Sequence, residues 1–148
     1  MTIITYDAIE DLKCALCTQW DATCLGGVKP EIDFVWDKKL VGFDGEVERI
    51  ILEPLAEPIK VFALHGDAYW HDLMIKVDIR SYKTGGTTRQ NEIVKETTRI
   101  IQNIIRRTGT GFLQVIIKKS ETRNQDYRNM YRHIIDLLYN DVNNHSFV

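Results

Sequence analysis

Leu73, Ile75, Val77 and Ile79 fall on odd positions while Lys76, Asp78 and Arg80 take even ones, the period-two signature of a strand with one apolar and one polar face. Its apolar side belongs to a core and its polar side to solvent or an interface. Thr84, Gly85, Gly86 and Thr87 then form a turn-prone run, after which Ile93, Thr97, Ile100, Ile101 and Ile104 share one face of a helix. That helix is expected to lie across the sheet.

Nearer the start, Asp7 followed by Glu10 resembles a capping box, and Ile9, Leu12 and Leu16 continue as an apolar stripe, which predicts a helix over residues 7–19. Gly26, Gly27 and Pro30 end it. Ile32, Phe34 and Trp36 alternate with Asp33 and Val35 as a short strand, and a turn is expected around Gly42 to Gly45. Residues 49–52 and 60–64 read as two edge or hairpin strands, separated by Pro54 and Pro58, which cannot join a continuous ladder. Gly66 and Asp67 make the next turn, and Gly109 and Gly111 suit a left-handed cap after the central helix.

Residues 112–117 begin another strand, and 118–129, KKSETRNQDYRN, read as an exposed loop because they are rich in charge and amide. The closing element admits two periods: Tyr131, His133, Ile135, Leu137 and Tyr139 alternate as a strand, while Ile134, Ile135 and Leu138 suit a helical stripe. Aromatic residues at its ends favour the strand. The whole predicts a single α+β domain over 1–148: a mixed, mainly antiparallel sheet with an N-terminal helix and a central amphipathic helix packed on it. An extra hairpin within 26–64 and a frayed tail over 142–148 complete the expected map.

Composition narrows the functional classes. The 148 residues include 19 Lys and Arg against 21 Asp and Glu, a net charge of -2, so no global field draws the chain to nucleic acid or an anionic membrane. No apolar run approaches the about 18 to 20 residues of a spanning helix, and no leader pattern precedes residue 11, which places the chain in cytosol-like surroundings. Cys14, Cys17 and Cys24 are odd in number and are expected to be reduced. Their spacing lacks the fourth ligand of a structural zinc site, so Cys14 and Cys17 read as small apolar volume beside Leu16. No metal and no cofactor is expected.

Catalytic residue types do not converge. His65, His71, His133 and His145 are scattered, and neither a Gly-flanked nucleophile elbow nor a phosphate loop is present. A metal-dependent nuclease of the restriction-enzyme type is the nearest enzymatic alternative, with Asp78, Arg80 and Lys83 as its residues. Arg80 stands where that chemistry uses a lysine, and a guanidinium does not deprotonate. Asp78 and Arg80 read instead as a polar strand face that pairs across the sheet. No enzymatic activity is expected.

The order of elements, together with WHDLMIKVDIRS (Trp70, Leu73, Ile75, Val77), NEIVKETTRIIQNIIRR, GFLQVII and YRHIIDLLY, resembles the tail terminator and tail completion proteins of long-tailed bacteriophages and related archaeal viruses. These motifs are apolar patterns and cover about half the chain. The segment 26–64 looks long for the family, and the polar run before the last strand carries more charge than its pattern.

The resemblance implies a virion protein of the tail or neck, assembled in the host cytoplasm. It would form a ring, typically a hexamer, that caps the tail tube, meets the tail tube protein and a head-side connector, and lets genomic DNA pass. Alternatives of the same kind are another head-tail connector or neck protein, or a small cellular adaptor. The residues expected at subunit or partner interfaces are Lys83, Thr84, Thr87, Arg89, Lys118, Lys119, Arg123, Tyr127 and Arg128, with Arg106 and Arg107 as candidates to face DNA.

Overall fold

The alternating stretch forms one 14-residue strand, and the architecture is organised around it. A computed structural model describes residues 4–23, 27–35, 48–55, 59–61, 69–82, 86–106, 114–124 and 130–143. In chain order these hold α1 (Ile4–Gln19), β1 (Glu31–Phe34), β2 (Arg49–Pro54), β3 (Ile59–Val61), β4 (Tyr69–Tyr82), α2 (Gly86–Arg106), β5 (Gln114–Thr122) and β6 (Met130–Asn143). The strands make a six-stranded sheet in the order β1-β2-β4-β6-β5, with β3 pairing β4 beside that path. Among the described residues only β1 and β2 pair in parallel; the other pairings are antiparallel, so the fold is α+β as its sequence predicts.

Both helices lie on one face of the sheet. Leu73, Ile75, Val77 and Ile79 are fully buried there, beside Ile50 and Leu52 of β2 and Leu137 and Tyr139 of β6. Each such side chain contributes about 1.5 to 3 kcal/mol by leaving water. From α1 come Ala8, Ile9, Leu12, Ala15 and Leu16, and from α2 Ile93, Ile100, Ile101 and Ile104, each set spaced to face the sheet. Gly86, at φ 68°, turns the chain into α2, a conformation that glycine adopts without strain.

The two helices are tied together by polar groups that periodicity does not reveal. Glu96, 1% exposed in the middle of the buried stripe of α2, accepts a hydrogen bond from the Asp21 N–H at 2.9 Å and an ion pair from Arg99. Arg99 Nη2 in turn donates to the Gln19 carbonyl at 2.7 Å, which satisfies an orphan acceptor at the end of α1.

Several expectations need correction. α1 starts at Ile4, so Asp7 lies inside the helix instead of capping it. β2 and β3 are not hairpin partners: both pair along the same side of β4, which is long enough to hold them end to end. β2 is an interior strand, with Pro54 as its last residue, where a missing N–H is tolerated. β1 and β2 run parallel, so the hairpin expected within 26–64 is not found among the described residues.

The supposed loop from Lys118 is a continuation of β5 as far as Thr122, and Val142 and Asn143 of the supposed frayed tail pair with Trp70 and Tyr69. Thr87 and Thr88 belong to the first turn of α2. Cys14 is exposed rather than core, while Cys17 packs partly against the core. The closing element is a strand, the preferred of its two readings. Trp36, the turns at 42–45 and 66–67, Cys24, the glycines 109 and 111 and residues 144–148 lie outside the described residues.

Candidate functional site

Register arranges the polar face of the sheet in rows running across the strands. One row reads Glu31, Arg49, Arg80, Arg132; the next reads Asp33, Ile51, Asp78, Ile134, Glu121. A third reads Glu53, Lys76, Asp136, Lys119, and a fourth is apolar, with Met74, Leu138 and Ile116. β5 contributes to these rows through a bulge between Ile117 and Lys119, which turns Lys119 and Glu121 to this face although Ile117 lies against the core.

Asp78 is the hub of the face. Its carboxylate accepts from Arg80 Nε and Nη2 at 3.2 and 2.9 Å and from Arg132 Nε and Nη2 at 3.0 and 3.1 Å, and its side chain is 5% exposed. Arg49 Nη1 lies 3.5 Å from Asp33 and 3.7 Å from Glu31. Lys76 pairs with Glu53 at 3.5 Å, and Lys119 with Glu121 at 2.8 Å; the hydrogen bond that Lys119 donates to Glu121 raises the Lys119 pKa above its ordinary value. Among the described side chains, with Arg123 included, the cations of the face match its carboxylates one for one. A groove of about 300 Å³ runs along it, lined by Leu55, Lys76, Lys119, Arg123, Ile134 and Asp136 among others.

At one end of the sheet, a second polar cluster secures α2. Arg89 forks onto Glu48 at 2.8 and 2.9 Å, reaches Glu92 at 3.3 Å and donates to the Val28 carbonyl at 2.6 Å. Its pKa is raised, chiefly by the hydrogen bonds it donates to Glu48. Gln90 and Asn124 exchange amide hydrogen bonds at 2.7 and 3.1 Å, and Asn124 Oδ1 also receives the Arg132 N–H at 3.1 Å. His133 bridges the strands nearby: Nε2 lies 2.7 Å from Ser120 Oγ and Nδ1 2.9 Å from Thr122 Oγ1, and burial lowers its pKa.

These positions do not converge on a single site. Lys118, Lys119 and Arg123 are exposed on and beside β5, Thr87 is exposed at the start of α2, and Arg106 is exposed at its end. Arg89 is 16% exposed and engaged with Glu48, Glu92 and Val28 of its own chain. Lys83, Thr84, Arg107, Tyr127 and Arg128 lie outside the described residues. Arg132, Asp136, Glu53 and Lys76 were not singled out as site residues, yet their alternation with apolar neighbours along β2, β4 and β6 is the signal that places them on one face.

The chemistry open to the face is ionic pairing. Asp78 spends its oxygens on two guanidiniums, an environment that stabilises the sheet and opposes capture of a divalent cation. Ser120 and His133 form a hydrogen-bonded pair on the helix side of the sheet, where Thr122 holds the second ring nitrogen. Among the described residues no group of three or more metal-binding side chains forms, and no helix is long and apolar enough to cross a membrane. The chain matches no family model, and no curated protein matches it.

Proposed function

We propose that this chain is a structural subunit that assembles with copies of itself into a ring, terminating the tail tube of a long-tailed virus and joining the tail to a head-side connector. The observation that carries this reading is the polar sheet face, where cations pair with carboxylates of the same and of neighbouring strands among the described residues. Assembly needs a stiff wall, and a sheet with both helices on one side provides it. A ring also needs two unlike flanks that meet head to tail; β1 and β5 are the two ends of the strand order, so the flanks differ. The net charge of -2 suits passage of DNA through the ring, because little phosphate is drawn to it.

Sedimentation and negative-stain imaging of the purified chain test the proposal. Closed rings that bind tail tubes at one end support it. A chain that stays monomeric at high concentration and leaves tube ends uncapped would overturn it.

A further inference from the structure

The row Glu53, Lys76, Asp136, Lys119 alternates in sign across four strands. Rotation by half a turn about an axis parallel to the strands, lying between two facing copies midway along the row, reverses its order, so Glu53 of one copy faces Lys119 of the other and Lys76 faces Asp136. The row is therefore complementary to itself. We propose that the polar face of the sheet is a two-fold contact surface between two copies of this chain, packed sheet to sheet along the groove.

Charge order identifies the occupant. The row has no net charge, so a uniformly charged partner such as nucleic acid or a polybasic peptide gains nothing from it, whereas a partner with the same alternation gains at every position. The chain itself supplies that partner. Beside the row, Met74, Leu138 and Ile116 form the apolar fourth row, and Leu55 is 39% exposed at the groove's edge, which gives the contact an apolar margin. Lys119 and Glu53, at the ends of the row, have side chains 61% and 37% exposed and are free to exchange some intramolecular pairing for pairing across the contact. This surface is separate from the head-to-tail flanks of the proposed ring.

Two variants test it. Glu53→Lys with Asp136→Lys makes the row wholly cationic, and Lys76→Glu with Lys119→Glu makes it wholly anionic. Circular dichroism establishes that each is folded, and sedimentation equilibrium reads association. The expected result is that the wild type pairs, each variant alone associates at least about tenfold more weakly, and an equal mixture recovers pairing. Leu55→Glu, which leaves the row intact, is expected to weaken pairing as well.

Variants that associate like the wild type, a mixture that recovers nothing, or a wild type showing no two-fold association would overturn the proposal. Negative-stain counts of closed rings in the same samples keep this outcome apart from the ring reading. Rings that persist in the row variants leave that reading standing, and rings missing from the wild type count against it alone.

Discussion

Arg132 of β6 grips Asp78 of β4 with two guanidinium nitrogens, Nε at 3.0 Å and Nη2 at 3.1 Å, across 54 positions of sequence. Arg80 shares the same carboxylate, so one nearly buried anion holds two cations. Removing the anion leaves both guanidiniums in a place with little water. Asp78→Ala is expected to cost about 3 kcal/mol, with Asp78→Ala/Arg132→Ala costing less than the two single changes combined. Urea unfolding of the four proteins in the cycle measures it.

Gly27 and Arg89 set a second prediction. Gly27 has φ 59°, and a Cβ there would lie 2.8 Å from Arg89 Nη1. Gly27→Ala is expected to destabilise by about 1 to 2 kcal/mol through backbone strain and displacement of the guanidinium. Arg89→Lys, which gives up the fork onto Glu48, is expected to lose about 1 kcal/mol. A thermal scan showing Gly27→Ala as stable as wild type would contradict this account.

His133 supplies a pH dependence. Burial holds its pKa below the ordinary value, so the unfolded chain binds a proton more readily than the folded one. The stability from neutral His133 is complete above the unfolded pKa of about 6.5 and is lost as pH falls through the lower folded value. Wild type is expected to lose more stability than His133→Phe between neutral and mildly acid solution. Parallel denaturation curves at a series of pH values compare the two slopes.

Burial separates two further substitutions. Ile101 is fully buried in α2, and Ile101→Asp is expected to abolish folding, since an unpaired carboxylate there costs more than about 4 kcal/mol. Lys118 is exposed at the β5 bulge, so Lys118→Ala is expected to change stability by less than about 0.5 kcal/mol. Circular dichroism distinguishes these outcomes directly.

The long strand and both helices were legible because their apolar residues keep one period throughout: Leu73 to Ile79 at two, Ile93 to Ile104 at the helical spacing. β5 was half legible. Past Ile117 its apolar signal stops, the bulge breaks alternation, and Lys119, Ser120, Glu121 and Thr122 resemble a loop although they pair with Asp136, Ile135, Ile134 and His133. The parallel pairing of β1 with β2 leaves no local mark, since no turn residue specifies it.

The polar face was legible as a set of positions and illegible as a network. Asp78 and Arg80 announce a polar side by alternation, but Arg132 as the second partner of Asp78 follows only from the register of β4 with β6. Glu96 and Asp21 illustrate the same limit, because a backbone donor 75 positions away cannot be inferred from a glutamate inside an apolar stripe. Arg89 is among the residues expected at an interface, and its partners within the chain, Glu48 and the Val28 carbonyl, follow only from the fold.

β4 has β2 and β3 on one side and β6 on the other, with Tyr69 opposite Asn143. During synthesis, a nascent chain that has emerged only through α2 carries a strand with one bare edge, and that edge stays open until β6 leaves the ribosome. The sheet is completed only once β6 pairs with β4. Until then the bare edge of β4 is a template on which a neighbouring chain can pair.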